Sequence, residues 1–269
     1  MEDLNRFLEE DIGHGDITTD ILVPDVDGKA DIICQDDAVI AGIEEAVTIF
    51  EEHGIECDPC VGDGDRVKRG SVVMGLSGPL RNIITLERTA LNIMMRMSGI
   101  ATATNEVLMI CRKHNKNIRI AATRKTTPGF RAFEKKAVMI GGGDPHRYGL
   151  YDMILVKDNH IRAAGGMRNV IDSLKNASFT RKVEIEVENM DDAVAAARGG
   201  ADMILIDNAG PAKAREIADA VRRVNDITIE VSGNITKDNA ADYAKFADVI
   251  SMGSLTHSVR SIHFSLNVR

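Results

Sequence analysis

Cysteine, proline, long apolar runs and positive charge are all scarce in this chain of 269 residues, and each scarcity removes a class of protein. Four cysteines (Cys34, Cys57, Cys60 and Cys111) are too few for a disulfide framework at this length and favour a reducing compartment, the cytoplasm. Six prolines and no low-complexity tract leave no sign of disorder. The acidic opening, MEDLNRFLEEDIGHGD, has neither the basic flank nor the apolar run of a signal peptide, and no later stretch has the apolar length of a membrane span. A net charge of −8 speaks against broad binding to nucleic acid or anionic membranes, because both need a basic field. What remains, 44% hydrophobic and 28% charged, is an ordinary globular composition, long enough for one large α/β domain or a large and a small one.

The average charge hides a local contrast. Ala121 to His160 holds seven Arg and Lys against four Asp and Glu, a local +3 that leaves the rest of the chain at −11. Such a cationic island in an acidic protein suits a small anionic ligand better than a polymer. Lys135 and Lys136 fit a solvated helix face, but the doublets Arg124-Lys125 and His146-Arg147 stand beside Pro and Gly and do not.

Hydrophobic patterning divides the chain. The first part alternates short β-like runs (ADIICQ, AVIAGI, VGDGDRVKRGSVVMGLSGP) with turn residues, which predicts a small antiparallel sheet covered by a helix at 43–53. From 81 to 114 the spacing of Leu86, Ala90, Ile93, Met94 and Met97 predicts a long helix, broken near Ser98-Gly99, that bridges two domains. Six strand-like runs follow (IRIAAT, MILVK, VEIEV, MILID, ITIEV, DVISM). Among the helices between them are 191–198, 211–224 with Pro211 in the first turn, and 237–245 with Thr236 as N-cap.

Repeated βα units imply a parallel sheet, either open or closed into a barrel. The ends of the six strands carry Arg124-Lys125, Lys157, Glu186, Asp207, Ser232-Gly233 and Gly253. An open sheet presents ligand groups only beside its switch point, whereas every strand end of a barrel points at one mouth. Six such ends in a row favour a barrel, and six strands instead of eight make it incomplete.

Cations early and acids later suit a ligand that is anionic at one end and hydroxylated at the other. Arginine grips carboxylate or phosphate through its planar fork and lysine acts as a point charge. Glu186 and Asp207 suit sugar hydroxyls or Mg²⁺ held through water, and the turns Ser232 to Asn234 and Met252 to Ser254 offer backbone N–H groups to phosphate. A phosphorylated sugar with an anionic partner is the reading from the residues. Alternation in VEIEV cannot by itself select Glu186, since Glu184 and Glu188 share its parity and read as solvent-facing positions. GGGDP is no Walker loop, and the lone Cys57-x-x-Cys60 pair reads as structural. His14, His53, His114 and His263 read as surface or packing residues.

Eight motifs, in order along nearly the whole chain, resemble the quinolinate phosphoribosyltransferase family: EEDIGHGDITTDILVP, ERTALNIMMRMSGIATAT, TRKTTPGFR, GGGDPHRYGLYDMILVKDNHI, VEIEVEN, ADMILIDN, IEVSGNIT and ISMGSLTHSV. The resemblance implies an N-terminal α/β sandwich over 1–104, joined by the C-terminal 256–269. It also implies a catalytic, incomplete α/β barrel of six or seven parallel strands over 105–255. It implies the substrates quinolinate and 5-phosphoribosyl-1-pyrophosphate (PRPP), with Mg²⁺, and the products nicotinate mononucleotide, pyrophosphate and CO₂, a step towards NAD. Quinolinate would be held by Arg88, Thr123, Arg124, Lys125, His146, Arg147 and Lys157. Arg88 would reach across from the second subunit of a homodimer, or of a higher oligomer. PRPP would be held by Lys125, Lys157, Glu186, Asp207, Ser232, Gly233, Asn234, Met252, Gly253, Ser254 and His257. Lys125, Lys157, Glu186 and Asp207 would be catalytic, with Glu186 and Asp207 carrying Mg²⁺ directly or through water. Asn234 stands where many relatives have glycine.

Three other readings compete: a nicotinate transferase that releases no CO₂, a family member diverted to another acidic heterocycle, and a non-catalytic sensor of phosphoribosyl ligands. The crowding of Arg88, Arg124, Lys125, His146 and Arg147 favours a dicarboxylate, and the retention of Glu186 with Asp207 favours an enzyme.

Overall fold

The computed structural model describes residues 2–269. In chain order its first half holds α1 (Glu2–Ile12), α2 (Ile17–Leu22), β1 (Asp27–Cys34), β2 (Ala38–Val39), α3 (Ile43–Glu51), β3 (Glu56–Pro59), β4 (Arg66–Val67), β5 (Val72–Pro79) and α4 (Leu80–Cys111). There follow β6 (Arg119–Ala121), α5 (Arg131–Ile140), β7 (Ile154–Val156), α6 (Asp158–Ala163), α7 (Met167–Leu174), β8 (Val183–Val187) and α8 (Met190–Arg198). The chain ends with β9 (Met203–Asp207), α9 (Pro211–Arg222), β10 (Thr228–Ser232), α10 (Ala240–Ala244), β11 (Val249–Ser251), α11 (Ser254–His257) and β12 (Phe264–Val268). Among these residues no helix is long and apolar enough to cross a membrane.

Two compact units result. The first comprises residues 1–105, 127–142 and 258–269; the second comprises 106–126 and 143–257.

The first unit is built on an antiparallel sheet in the order β12-β1-β5-β3. Strand β1 alternates as a half-covered strand must, with Ala30, Ile32 and Cys34 fully buried on one face. Helix α3 buries Ile43, Ala46, Ile49 and Phe50 at helical spacing. Helix α4 runs through Ser98-Gly99 without the expected break. Ser98 Oγ instead donates to Ala41 O at 3.0 Å and accepts the Ala41 N–H at 2.9 Å, a buried pairing that a helix can carry without bending. Gly99 is there because another backbone passes close: a Cβ would lie 2.4 Å from Arg260 O. Gly99→Ala should therefore destabilise the protein by about 1–3 kcal/mol, the usual cost of forced overpacking, seen as a lower urea midpoint; an unchanged midpoint would contradict this contact.

Segment 127–142, expected in the barrel, belongs to the first unit. Its Glu134 is fully buried and accepts from Arg96 Nη2 (2.8 Å), Thr127 Oγ1 (2.9 Å) and the Thr127 N–H (3.1 Å). Phe130 and Phe133 pack on Phe7. The solvated-face reading of Lys135 and Lys136 is also corrected. Lys135 is completely buried, and Lys136 Nζ sits 2.6 Å from Glu44 and 2.7 Å from Glu45. Neither lysine is part of the second unit's cationic surface.

In the second unit six parallel strands pair in the order β6-β11-β10-β9-β8-β7. From β7 to β11 the order simply follows the sequence, and the last strand then pairs with the first (Ile250 beside Ile120). A doubly wound sheet would reverse at a switch point; pairing of first with last is the signature of a closed barrel. A seventh position survives only as a single parallel bridge from Ala121 to Asp144, and the described ladder stops between Asp144 and β7. The barrel is therefore incomplete.

Helix α8 packs on β8 and β9 with small residues buried (Ala193, Ala196, Ala197), and α9 beside it buries Ala214 and Ala218. Helix α10 is shorter than expected, with Asn239 and not Thr236 at its start. The Asn239 side chain accepts the Thr236 N–H at 2.8 Å and closes a turn before the helix begins.

Candidate active site

The strand ends of the second unit surround a pocket of about 710 Å³. Its wall contains Thr123, Arg124, Lys125, His146, Arg147, Lys157, Glu186, Asp207, Ser232, Gly233, Asn234, Met252, Gly253, Ser254 and His257. Arg88 is not in this wall; it lies on α4 in the first unit, exposed, with its guanidinium 3.4 Å from Glu87.

Barrel order explains where the charges fall. Arg124 and Lys125 follow β6, His146 and Arg147 follow the Asp144 bridge, and Lys157 follows β7, so the cations stand on both sides of the gap in the ladder. Glu186 and Asp207 end the neighbouring strands β8 and β9, and the glycine turns end β10 and β11, away from the gap. A ligand spanning this mouth meets cations at one end and acids with free-backbone turns at the other.

Several of these groups are strained or uncompensated, as binding sites tend to be. Arg124 Nε is buried with no hydrogen-bond partner. Arg147 is only 8% exposed, and burial, helped by the neighbouring Arg124, lowers its guanidinium below the ordinary value, with Glu184 and Glu186 acting in the opposite sense. Lys157 caps α6 and its ammonium pairs tightly with the Glu186 carboxylate on the adjacent strand. Asp207 accepts from Ser232 Oγ at 2.5 Å and from Asn208 Nδ2 at 2.6 Å. His146, Asn208 and Asn234 all have φ near +52° to +53°, the left-handed region that costs most L-residues about 1–2 kcal/mol.

The turn after β10 is tightly fitted. Gly233 has φ +87°, and a Cβ there would lie 2.3 Å from Asn208 Oδ1. At Gly253 a Cβ would lie 2.8 Å from Lys125 Cδ and 3.0 Å from the His257 ring, so the missing side chain is what lets Lys125 and His257 come together. Asn234 fits its position because asparagine is among the few non-glycine residues that visit left-handed backbone readily. Asn234→Gly should thus keep kcat/KM within about threefold and stability within about 1 kcal/mol, whereas Asn234→Val should cost about 1–2 kcal/mol. Thermal unfolding of both variants checks this, and a valine as well tolerated as glycine would contradict it.

Three further polar side chains at the pocket were not singled out from the sequence. Asn208 and Glu230 also line the pocket, and Glu184 lies beneath it, fully buried, not facing solvent as expected. Strands of a helix-covered barrel have no solvent face, so the alternate polar residues point inward. That parity, applied once a barrel was inferred, would have found Glu184 and Glu230. Glu184 Oε2 lies 3.6 Å and Glu230 Oε2 3.0 Å from His146 Nε2. Burial, then the charge of Glu230, pushes the Glu184 carboxyl up to about 8, against the pull of His146 and Arg147. One carboxylate oxygen each of Glu184 and Glu230 and a ring nitrogen of His146 lie within 4.8 Å of one another.

The remaining candidates are quiet. Cys57 and Cys60 are free, and burial beside Glu51 pushes the Cys57 thiol up to about 12, which makes it a poor nucleophile or metal ligand. His263, read as a surface or packing residue, lies on the surface of the first unit with its Nδ1 3.1 Å from Asp36 Oδ2.

The chain is similar to known proteins along nearly its whole length. Residues 100–267 match the family model described as quinolinate phosphoribosyl transferase, C-terminal domain, and residues 16–98 match its N-terminal domain. A Methanocaldococcus jannaschii protein described as a probable nicotinate-nucleotide pyrophosphorylase [carboxylating] is 43% identical, over 98% of this chain and 95% of that protein. The crystal structure of NadC from Streptococcus pyogenes superposes with a TM-score of 0.93 at 33% identity, covering 100% of this chain and 95% of that one. The nicotinate-nucleotide pyrophosphorylase from Francisella tularensis superposes with a TM-score of 0.93 at 34% identity, covering 99% and 94%.

Proposed function

The chain belongs to the quinolinate phosphoribosyltransferase family, and we infer that the pocket of its second unit is where quinolinate and PRPP react. The activity is transfer of the phosphoribosyl group to quinolinate with loss of CO₂, giving nicotinate mononucleotide and pyrophosphate, a step towards NAD. The observation that carries the pocket assignment is the placing of Arg124, Lys125, Arg147 and Lys157 around the gap in the ladder, with the glycine turn of β11 beside Lys125 and that of β10 next to it in the same mouth. Two adjacent carboxylates, a pyrophosphate and a 5-phosphate can share one cavity only if fixed cations offset their repulsion.

In this reading Arg124, His146, Arg147 and Lys157 bind the quinolinate carboxylates, with Thr123 beside them. Lys125 stands between these carboxylates and the PRPP phosphates. Ser232, Gly233, Asn234, Met252, Gly253, Ser254 and His257 grip phosphate, and Glu186 and Asp207 orient the ribose hydroxyls. The pyridine nitrogen attacks C1 of the ribose as pyrophosphate leaves, so no protein nucleophile is needed. Positive charge develops on the sugar, and the acids at the ends of β8 and β9 stabilise it while the cations hold both reactants in line. The ring nitrogen, now cationic, then stabilises the carbanion left on the ring carbon when the 2-carboxylate departs as CO₂, and a proton taken up from solvent at that carbon completes nicotinate mononucleotide.

Glu186 and Asp207 also suit Mg²⁺. That ion keeps several waters and takes one or two protein carboxylates together with substrate phosphates, and here two carboxylates on adjacent strands already hold fixed positions through Lys157, Ser232 and Asn208. Bound with pyrophosphate, it would neutralise charge on the leaving group. Arg88, exposed on α4, is read as serving the pocket of a second copy in a homodimer or larger oligomer. The free thiols of Cys34, Cys57, Cys60 and Cys111 support a cytoplasmic location.

The test is to mix the protein with quinolinate, PRPP and Mg²⁺, follow nicotinate mononucleotide and CO₂ together, and repeat with nicotinate and with EDTA. Equal yields of both products from quinolinate alone, abolished by EDTA, are expected. Nucleotide from nicotinate without CO₂ would overturn the acceptor, and full turnover in EDTA would overturn the metal.

A further inference from the structure

The cationic pocket rests on a floor of two buried carboxyl groups that the reaction above does not use. Glu230, in the middle of β10, is 1% exposed, and Glu184, in the middle of β8, is fully buried; both face His146. A carboxylate this deep is costly to keep unless something cationic or hydrogen-bonded accompanies it. The partner is the imidazole, 11% exposed, whose Nε2 lies 3.0 Å from Glu230 Oε2.

The backbone of His146 is arranged to make that contact. Its φ of +52° is left-handed, a conformation that persists only where the surroundings enforce it. Asp144 Oδ1 accepts the His146 N–H at 2.7 Å, and Asp144 is itself tied to the barrel by its bridge to Ala121. The ring is thus fixed from the chain side by Asp144 and from the barrel floor by Glu230.

We propose that Glu230 is a positioning residue for the acceptor substrate, holding His146 as a fixed imidazolium in the pocket wall. Glu230 on β10 and Glu184 on β8 face the ring, Asp144 holds the His146 backbone N–H, and Arg147 is its chain neighbour. A carboxylate at hydrogen-bond distance favours the protonated ring, most of all where water is excluded. Glu230 carries this role whatever the charge on Glu184. Recognition of the dicarboxylate then depends on a histidine whose charge is supplied by an acid underneath it, in addition to the arginines and lysines. PRPP, gripped at the ends of β8 to β11, does not depend on it.

The inference rests on the reading of His146 as a quinolinate contact, and a double-mutant cycle separates the two. Glu230→Gln keeps shape and an acceptor oxygen but removes the charge. It should raise the KM for quinolinate at least tenfold while leaving the KM for PRPP and kcat within about threefold. In the His146→Asn background the same change should add less than twofold, because the group it serves is gone. Equal loss in both backgrounds, equal effects on both substrates, or no effect would overturn the role of Glu230. A His146→Asn variant with unchanged KM for quinolinate would overturn the reading of His146 itself. Should Glu230→Gln fail to fold, ¹⁵N-histidine spectra of the wild-type protein decide: the His146 ring, assigned by its loss in His146→Asn, should carry protons on both nitrogens at pH 7.5. A neutral ring would overturn the proposal.

Discussion

Arg147→Ala should lower kcat/KM for quinolinate by about 10³, or roughly 4 kcal/mol, while the protein remains folded. Arg147 is buried and stands beside Arg124 in the wall of the pocket, so its guanidinium is desolvated and cannot be replaced by water-borne cations. A charge-assisted, two-pronged contact to carboxylate is worth about twice a neutral hydrogen bond, and a lysine would not reproduce its fork. The fold survives because the acids that Arg147 offsets have another way to shed charge. Burial and Glu230 already push Glu184 up to about 8, so without the arginine it holds its proton more firmly.

That compensation has a sign that can be measured. Between the ordinary 4.5 and its raised value, Glu184 holds a proton in the folded protein that the unfolded chain releases, so its contribution to stability declines as pH rises through that window. Removing Arg147 takes away an interaction that lowers the value, so the decline should extend to higher pH in the variant. Circular dichroism, urea midpoints from pH 5 to 9 and steady-state kinetics test all three points. A variant with wild-type kcat/KM would sink the assignment of Arg147 to the substrate.

Gly233→Ala should be the most damaging single methyl group in the PRPP half of the pocket. Two independent costs combine: φ +87° is unfavourable for alanine, and the new Cβ would lie 2.3 Å from Asn208 Oδ1 and 2.6 Å from Asn208 N. Asn208 cannot yield quietly. Its N–H donates to Ser232 O at 3.0 Å and its Nδ2 donates to Asp207, so relief of the clash moves the carboxylate to which we assign the ribose hydroxyls. A loss of about 10² in kcat/KM for PRPP is expected, with a stability cost of about 1–3 kcal/mol. Gly210→Ala provides the control, since Gly210 has φ −61° and open space around it. If the two variants behave alike, the tight fit of the β10 turn is not what serves PRPP.

Much of this architecture was legible in the one-dimensional pattern. Six apolar runs at βα spacing, with Arg124-Lys125, Lys157, Glu186, Asp207, Ser232-Gly233 and Gly253 at their ends, imply a barrel mouth, and the pocket contains all of them. Residue type carried the chemistry: forks and point charges for anions, carboxylates for hydroxyls, glycines for backbone donors. These are local properties, set by which side chains a strand presents where it stops.

Tertiary structure decided the rest, because it depends on which faces are covered. Lys135 and Glu184 both occupy positions whose periodicity suits solvent, yet both are fully buried, since a second layer lies over what an isolated helix or strand would expose. The Ser98-Gly99 pair looks like a helix break in sequence, and only the approach of Arg260 to Gly99 explains it. Glu230 and His146 are 84 residues apart, and nothing in either stretch announces the other. They meet because β10 and the Asp144 loop belong to the same barrel, so closure of the ladder through β11 and β6 brings an acid from one and an imidazole from the other to hydrogen-bond distance. Local pattern determines what a strand end offers; only closure determines what it faces.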